Sequence, residues 1–183
     1  FEQDGATLLS IDESTSGIGD IPVAIGYQLH ATDRAALAAW LTVKAPTGNA
    51  DDLTGSGAVD VAATLAGQSQ MSEHWQLFGQ ASVAWLGDGD LLPEQQESLA
   101  WTLMGGLTWN AWRALDLTAQ VEANSKIYDG LHSDLDGDAV VLTFGGAWRT
   151  TGGWRFDLAV SEDLQAGSSP DVSFNFAAVR THQ

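Results

Sequence analysis

Apolar residues alternate with small or polar residues in about nine segments between Ile21 and Val179. Each segment is about ten residues long, the length of a tilted β-strand that crosses the hydrocarbon layer of a membrane. Successive side chains of a strand point to opposite faces, so each segment predicts one apolar and one polar face. In the clearest segment Leu117 lies on the apolar face, between Asp116 and Thr118 on the polar face.

The breaks between these segments are alternately short and long. Short breaks fall at 30–37, 69–75, 110–115 and 149–154, and long breaks fall at 46–57, 87–98, 128–138 and 163–171. Outer-membrane barrels likewise alternate short periplasmic turns with longer external loops. We therefore predict an all-β fold, in which residues 1–183 form one domain of an antiparallel, transmembrane up-and-down β-barrel in the bacterial outer membrane. Such barrels have an even number of strands, so we expect ten or twelve in the complete protein, the missing ones preceding those visible here.

Tryptophans lie beside the short breaks, where an amphipathic ring can sit at the level of the lipid headgroups. They are Trp75, Trp109, Trp112, Trp148 and Trp154. We predict that they mark one membrane interface, and that Trp85 and Trp101 mark the other. The alternative is a soluble antiparallel sheet, whose strands alternate because one face packs on a core. The coincidence of tryptophans with short breaks favours the membrane.

The net charge is −17, and most of the acidic residues lie in or beside the long breaks. Such a negative rim repels nucleic acid and attracts cations, so we expect no nucleic-acid partner. We expect the barrel to contact outer-membrane lipid and lipopolysaccharide, whose anionic groups are bridged by divalent cations. The chain has no cysteine, which leaves its redox compartment undetermined.

The polar face of the strands would line the interior of the barrel. Its candidate selectivity or plug residues are Lys44, Asp60, Gln80, Asp116, Gln120, Glu122, Lys126 and Asp157. These groups either pair across a narrow lumen and close it, or line a water-filled channel. The first arrangement predicts a closed structural or adhesion barrel with functional external loops. The second predicts a passive pore or transporter for a small solute, which is the function we expect.

Two further chemistries are less well supported by the residues. Asp134, Asp136 and Asp138 have the alternating spacing of a calcium loop, but the twelfth position of such a loop is Gly145 rather than glutamate. The same residues fit a turn between two strands, so we expect no cofactor, with Ca²⁺ as the alternative.

A lipid-modifying enzyme is the remaining alternative, and it would need a nucleophile within reach of a base. His132 is adjacent to Ser133, but sequence adjacency does not bring two side chains together. The chain has no GxSxG motif, and we expect no enzymatic activity.

Four stretches of the sequence resemble a known family. They are GIGDIPVAIGYQL (17–29), LTVKAPTG (41–48), LTGSGAVDV (53–61) and SPDVSFNFAAV (169–179). They resemble proteobacterial outer-membrane proteins grouped as a domain of unknown function, which are related to barrels described as transporters of the phenol-degradation meta pathway. The resemblance implies a barrel of roughly twelve strands and no catalytic residues.

Overall fold

The computed structural model describes residues 2–3, 6–7, 16–90, 93–129, 137–164 and 172–180. In these ranges the secondary structure consists of β-strands and turns. The strands are β1 (Glu2–Gln3), β2 (Ala6–Thr7), β3 (Ile21–Ala31), β4 (Ala35–Ala45), β5 (Asp60–Gln70), β6 (Trp75–Trp85), β7 (Leu99–Trp112), β8 (Leu115–Asn124), β9 (Ala139–Arg149), β10 (Trp154–Asp163) and β11 (Val172–Arg180). Within the described ranges no helix has the length and apolar character needed to cross a membrane.

Strands β3 to β11 form one sheet in which every strand pairs antiparallel with the next strand in sequence. The prediction of an all-β, antiparallel, up-and-down arrangement is confirmed. Among the described residues the sheet is open, with β3 and β11 as its edges, and β1 pairs with β2. The order of the strands is therefore that of an up-and-down barrel wall, and closure of this wall stays a prediction.

The predicted rhythm of the connections is confirmed. Short turns join β3 to β4, β5 to β6, β7 to β8 and β9 to β10, and the other connections within the sheet are longer. Hydroxyl oxygens fix three of the short turns: Thr32 accepts the backbone N–H of Ala35 at 3.0 Å, and Ser72 accepts that of Trp75 at 3.2 Å. Thr150 accepts the N–H of Trp154 at 3.2 Å in the same way. Local side-chain to backbone bonds of this kind stabilise a turn independently of the sheet.

The strand register sorts the side chains onto two faces, which we call the outer face and the inner face. On the outer face Leu103 pairs with Ala81 and Ala123, whereas on the inner face Thr102 pairs with Ser82 and Asn124. Cα partners in an antiparallel pair share a face, so the apolar positions of successive strands form one continuous surface.

Two irregularities of register interrupt the simple alternation. The register of β3 and β4 shifts between Gln28 and His30, so His30 pairs with the outer-face residue Leu37. Strict alternation from Ile21 would place His30 on the polar face, and the extra residue of the bulge reverses that placement. A second shift, between Asn110 and Trp112, moves Trp112 onto the outer face, where it pairs with Leu115.

Burial in this sheet is the reverse of burial in a soluble protein. Large outer-face side chains are exposed, for example Leu103 at 57% and Phe144 at 58%. Among the described residues no large side chain is fully buried, and the buried apolar residues are Ala58 and Ala147. The charged inner-face residue Asp116, by contrast, is only 6% exposed. The described sheet thus lacks the hydrophobic core on which soluble sheets depend.

Candidate functional site

The inner face of β8 to β10 is charged, and two ion pairs lie along the wall of the sheet. Arg149 on β9 donates to Asp116 on β8, which also accepts a hydrogen bond from Asn110 Nδ2 at 2.7 Å. On β10, Arg155 Nε lies 2.8 Å from Asp157 Oδ1. Each pair therefore joins groups on one strand or on neighbouring strands.

The other predicted inner-face residues lie in the same surface, with one exception. Gln80 pairs with Met104, Gln120 pairs with Gly106 and Thr143, and Glu122 accepts a hydrogen bond from Asn124 at 2.9 Å. Lys126 lies beyond the end of β8, where its Nζ is 2.6 Å from Asp129 Oδ1. Lys126 thus belongs to a long loop and not to a strand.

Lys44 is the centre of an ionic cluster at the long-loop end of the sheet. Its Nζ lies 2.6 Å from Asp60 Oδ2 and 3.0 Å from Asp20 Oδ2, and it donates to the Ser56 hydroxyl. Asp20 also accepts the backbone N–H groups of Ser56 at 3.1 Å and Gly48 at 3.0 Å. The three motifs GIGD, KAPTG and TGSGAVD therefore meet in one place, which sequence comparison alone does not indicate.

The hydrogen bonds to Asp20 have an electrostatic consequence. The backbone N–H of Ser56, the Lys44 ammonium and the backbone N–H of Gly48, in that order, lower the pKa of Asp20 from 3.8 to about 2. Each of these donors favours the charged carboxylate. Asp20 is an anion at any physiological pH, so it holds the loop at 46–59 by ionic hydrogen bonds.

The long-loop segments 16–20, 46–59, 86–90, 93–98 and 125–129, here called the rim loops, are hydrogen-bonded to one another. The links run from Asp90 N–H to the Ser56 carbonyl (2.9 Å), from Gln96 Nε2 to the Gly87 carbonyl (2.7 Å), from Glu97 N–H to the Ile127 carbonyl (2.8 Å) and from Asp129 N–H to the Gln95 carbonyl (2.7 Å). Gly87 N–H also donates to Asp60 Oδ1 at the start of β5 (3.0 Å). Glycine allows this close approach: a Cβ on Gly87 would lie 2.5 Å from the Val59 carbonyl oxygen. The rim loops therefore form an ordered border along the sheet.

Away from the Lys44 cluster, the middle of the inner face of β3 to β7 is uncharged. A cavity of about 530 Å³ lies there, and none of its lining residues carries a charge. Its walls include Trp40, Phe78, Met104, Gln28 and Gln80. A second cavity, of about 450 Å³ over β8 to β11, is lined by residues that include Arg155 and Asp157. The two halves of the inner face thus offer different environments to a solute.

Two inner-face aromatic rings lie close against glycines of neighbouring strands. A Cβ on Gly26 would be 2.5 Å from the Trp40 ring, and a Cβ on Gly106 would be 2.4 Å from the Phe78 ring. Trp40 remains 46% exposed. Sequence reasoning placed Trp40 on the polar face but gave it no role; the available signal was an aromatic residue at a polar-face position.

The five tryptophans of the short breaks all lie on the outer face at the short-turn end, and all are exposed. The rings of Trp75 and Trp109 stack at 6.0 Å between centroids. Phe156 lies 6.1 Å from Trp154, which the Arg180 guanidinium covers at 5.6 Å. Trp85 and Trp101 lie toward the opposite end of their strands. This placement agrees with two aromatic bands, and their contact with lipid stays a prediction.

Basic residues are divided between the two ends of the sheet. All the arginines lie at the short-turn end, namely Arg34, Arg113, Arg149, Arg155 and Arg180, and both lysines, Lys44 and Lys126, lie at the long-loop end. Most acidic residues of the described chain also lie at the long-loop end. The sheet therefore has a strongly negative end and an end where acidic and basic groups are more nearly balanced.

The calcium and enzyme alternatives fall largely outside the described residues. Asp134, Asp136, His132 and Ser133 are not among them, whereas Asp138 accepts the backbone N–H of Lys126 at 3.1 Å. Within the described part of the chain no group of three or more potential metal ligands is found.

Comparison with known proteins gives one family. No curated protein matches the chain. A family model matches residues 1–178, which is nearly the whole sequence. The match includes all nine strands of the sheet, apart from the last two residues of β11. The chain therefore belongs to the family described as Protein of unknown function (DUF3187).

Proposed function

We propose that this chain forms the wall of a closed transmembrane β-barrel in the bacterial outer membrane, and that the barrel is a passive pore or transporter for small solutes. The observation that carries the proposal is the exposure of the apolar outer face. Monomeric soluble proteins rarely expose a contiguous apolar patch larger than a few hundred Å². Here the exposed apolar surface extends over all nine strands of the sheet.

Strand length supports a membrane location. The strands of the sheet have between nine and fourteen residues, and about 9–11 tilted residues cross the hydrocarbon layer. Trp101 and Trp109 are eight residues apart on β7, which is about 27 Å along the strand and about 20 Å across the membrane at a tilt near 40°. That separation is close to the height of the apolar band of outer-membrane barrels.

Closure follows from the chemistry of a sheet edge in lipid. The free edges of β3 and β11 carry backbone N–H and C=O groups that lipid cannot satisfy, at a cost of several kcal/mol each. In a nine-strand meander the first and last strands run in the same direction, so direct pairing of β3 with β11 would be parallel. One or three further strands would make every pair antiparallel, which supports the total of ten or twelve.

We propose that the short turns face the periplasm and that the rim loops face the outside of the cell. Alternation of short periplasmic turns and longer external loops is typical of these barrels. The acidic residues of the rim loops would then lie near lipopolysaccharide and could share its divalent cations. The proposal includes contact of the barrel with outer-membrane lipid and lipopolysaccharide. It also includes a relationship to the barrels described as phenol-pathway transporters.

The pairing of charges supports an open interior. Asp116 with Arg149, and Arg155 with Asp157, are joined along the wall, so they require no partner from the opposite side of a lumen. The hydrogen-bonded rim loops favour the second candidate, a closed structural or adhesion barrel whose external loops carry the function. The two candidates differ in conductance.

The first experiment is a planar-bilayer recording with the full-length protein, with insertion measured independently. We expect discrete, cation-selective openings, because the long-loop end is strongly negative. Glu122→Gln keeps a side chain able to bond Asn124 and should reduce cation selectivity. Glu73→Gln removes the same charge from a short turn and is the matched control. Inserted protein without conductance would reject the pore and favour the closed barrel.

A second experiment tests the membrane assignment itself. Of the eight tryptophans, seven lie on the outer face and Trp40 lies on the inner face. In vesicles of brominated phospholipid, we expect quenching of the seven and protection of Trp40. Acrylamide dissolved in the water should instead quench the emission of Trp40. That quenched part of the emission should be absent from Trp40→Phe and present in Trp101→Phe. Acrylamide quenching of all eight rings, without lipid quenching, would reject the membrane location.

A further inference from the structure

The cavity beside Trp40 and Phe78 has a defined shape. Its floor includes Ala38 and Ala66, which pair with each other on β4 and β5 and have short side chains. The larger side chains of Trp40, Phe78 and Met104 stand around this floor. A volume of about 530 Å³ is within the range of about 300–1,000 Å³ found for small-molecule sites.

The aromatic walls are positioned by the backbone beneath them. Gly26 and Gly106 lack the Cβ that would collide with the rings of Trp40 and Phe78, so each ring can lie against its neighbouring strand. One side of the Trp40 ring thus contacts Gly26, while the side chain stays 46% exposed. An exposed aromatic surface beside small residues favours a flat apolar ligand.

The polar groups of the cavity are amides. Gln28, Gln68 and Gln80 are among the lining residues, and Gln68 Oε1 accepts a hydrogen bond from Gln76 Nε2 at 2.9 Å. A glutamine amide can both donate and accept, so it can pair with a ligand amide or hydroxyl. A charged ligand would lose hydration there without gaining an opposite charge, because no lining residue is charged.

We infer that this cavity is a binding site on the solute pathway for an uncharged, flat molecule that carries an amide or hydroxyl group. The inference deepens the proposed function and rests on it, because the inner face must be reachable by solutes. The charged cavity over β8 to β11 would leave a separate path for ions. Neutral and ionic solutes would then use different halves of one interior.

Benzamide is a suitable probe, and benzoate is its control because it has nearly the same shape and a full negative charge. The full-length protein is reconstituted in vesicles, and emission from Trp40 is followed as either compound is added. We expect a saturable change with benzamide that is lost in Trp40→Phe and kept in Trp101→Phe. Phe78→Ala should weaken the apparent affinity by about tenfold, since it removes one aromatic wall. Leu107→Ala, an outer-face truncation on β7, should leave the affinity unchanged.

Several outcomes would overturn the inference. A linear, unsaturable change would indicate collisional quenching without a site, and equal binding of benzoate would reject selection for neutral ligands. Protection of Trp40 from acrylamide before any probe is added would indicate that another segment of the chain fills the cavity. Failure of these tests in vesicles where brominated lipid still quenches the outer tryptophans would leave the proposed barrel intact. Loss of lipid quenching would instead reject the proposed function.

Discussion

Leu103 and Met104 are adjacent on β7 and point to opposite faces, so they test the assignment of the two faces directly. Leu103 is 57% exposed on the outer face, between the aromatic residues Trp101 and Trp109. Arginine on the lipid face of a barrel costs about 2–4 kcal/mol at the midplane and less near the interfaces. Because Leu103 lies between Trp101 and the midpoint of the strand from Trp101 to Trp109, we expect Leu103→Arg to destabilise the folded protein in lipid by about 2 kcal/mol.

A cost of about 2 kcal/mol changes the unfolding equilibrium by about thirty-fold. Met104→Arg introduces the same side chain on the inner face, where water and Glu122 are close, and should cost less than half as much. The assay is reversible urea unfolding in lipid vesicles, followed by tryptophan emission and by the mobility of folded protein in gels. If Leu103→Arg were neutral or stabilising while Met104→Arg was destabilising, the outer face would meet water and the reasoning would be refuted.

Three further predictions concern the loops and turns. The pKa of Asp20 is lower in the folded protein than its ordinary value of 3.8. The stabilising contribution of Asp20 should therefore be complete above about pH 4 and lost as the pH falls through about 2. Proteolysis of the loop at 46–59 by pepsin at graded pH can detect this loss. Gly48→Ala should make the same loop more susceptible to neutral proteases, because the added Cβ would lie 2.4 Å from the Thr54 carbonyl oxygen. Gly137→Ala is the control, since a Cβ at Gly137 would meet nothing within 4 Å. Gly153 has a φ of 77°, so Gly153→Ala should lower the free energy of unfolding by about 1 kcal/mol in the urea assay, and an unchanged stability would contradict the left-handed turn.

Much of the fold could be predicted from the sequence because strands and turns are local features. Period-two alternation follows from the geometry of a single strand, so β8 could be recognised from Leu115 to Asn124 without knowledge of its neighbours. The bulges could not be predicted, since the extra residue between Gln28 and His30 becomes apparent only in the register with β4. Closure of the sheet into a barrel stays a prediction, because it depends on contacts between strands that are distant in sequence and the described sheet is open.

The candidate site was less predictable than the fold. Sequence reasoning identified charged residues of the polar face, but their partners depend on register. Lys44, for example, pairs with Asp60 on the neighbouring strand and with Asp20 in the segment before β3. Lys126 was assigned to a strand because the alternation continues past Asn124, where the strand itself ends. The cavity at Trp40 needed the structure, since it arises from small residues on several strands whose juxtaposition alternation does not describe.

The unequal charge of the two ends of the sheet has a consequence for current through a pore built from this wall. Cations accumulate at the acidic mouth, whereas the mouth that contains all the arginines provides no such reservoir. Cation flow driven inward from the acidic mouth therefore starts from a higher local concentration than flow in the opposite direction. The pore would rectify, and the sign of the rectification would report the direction in which each molecule had inserted.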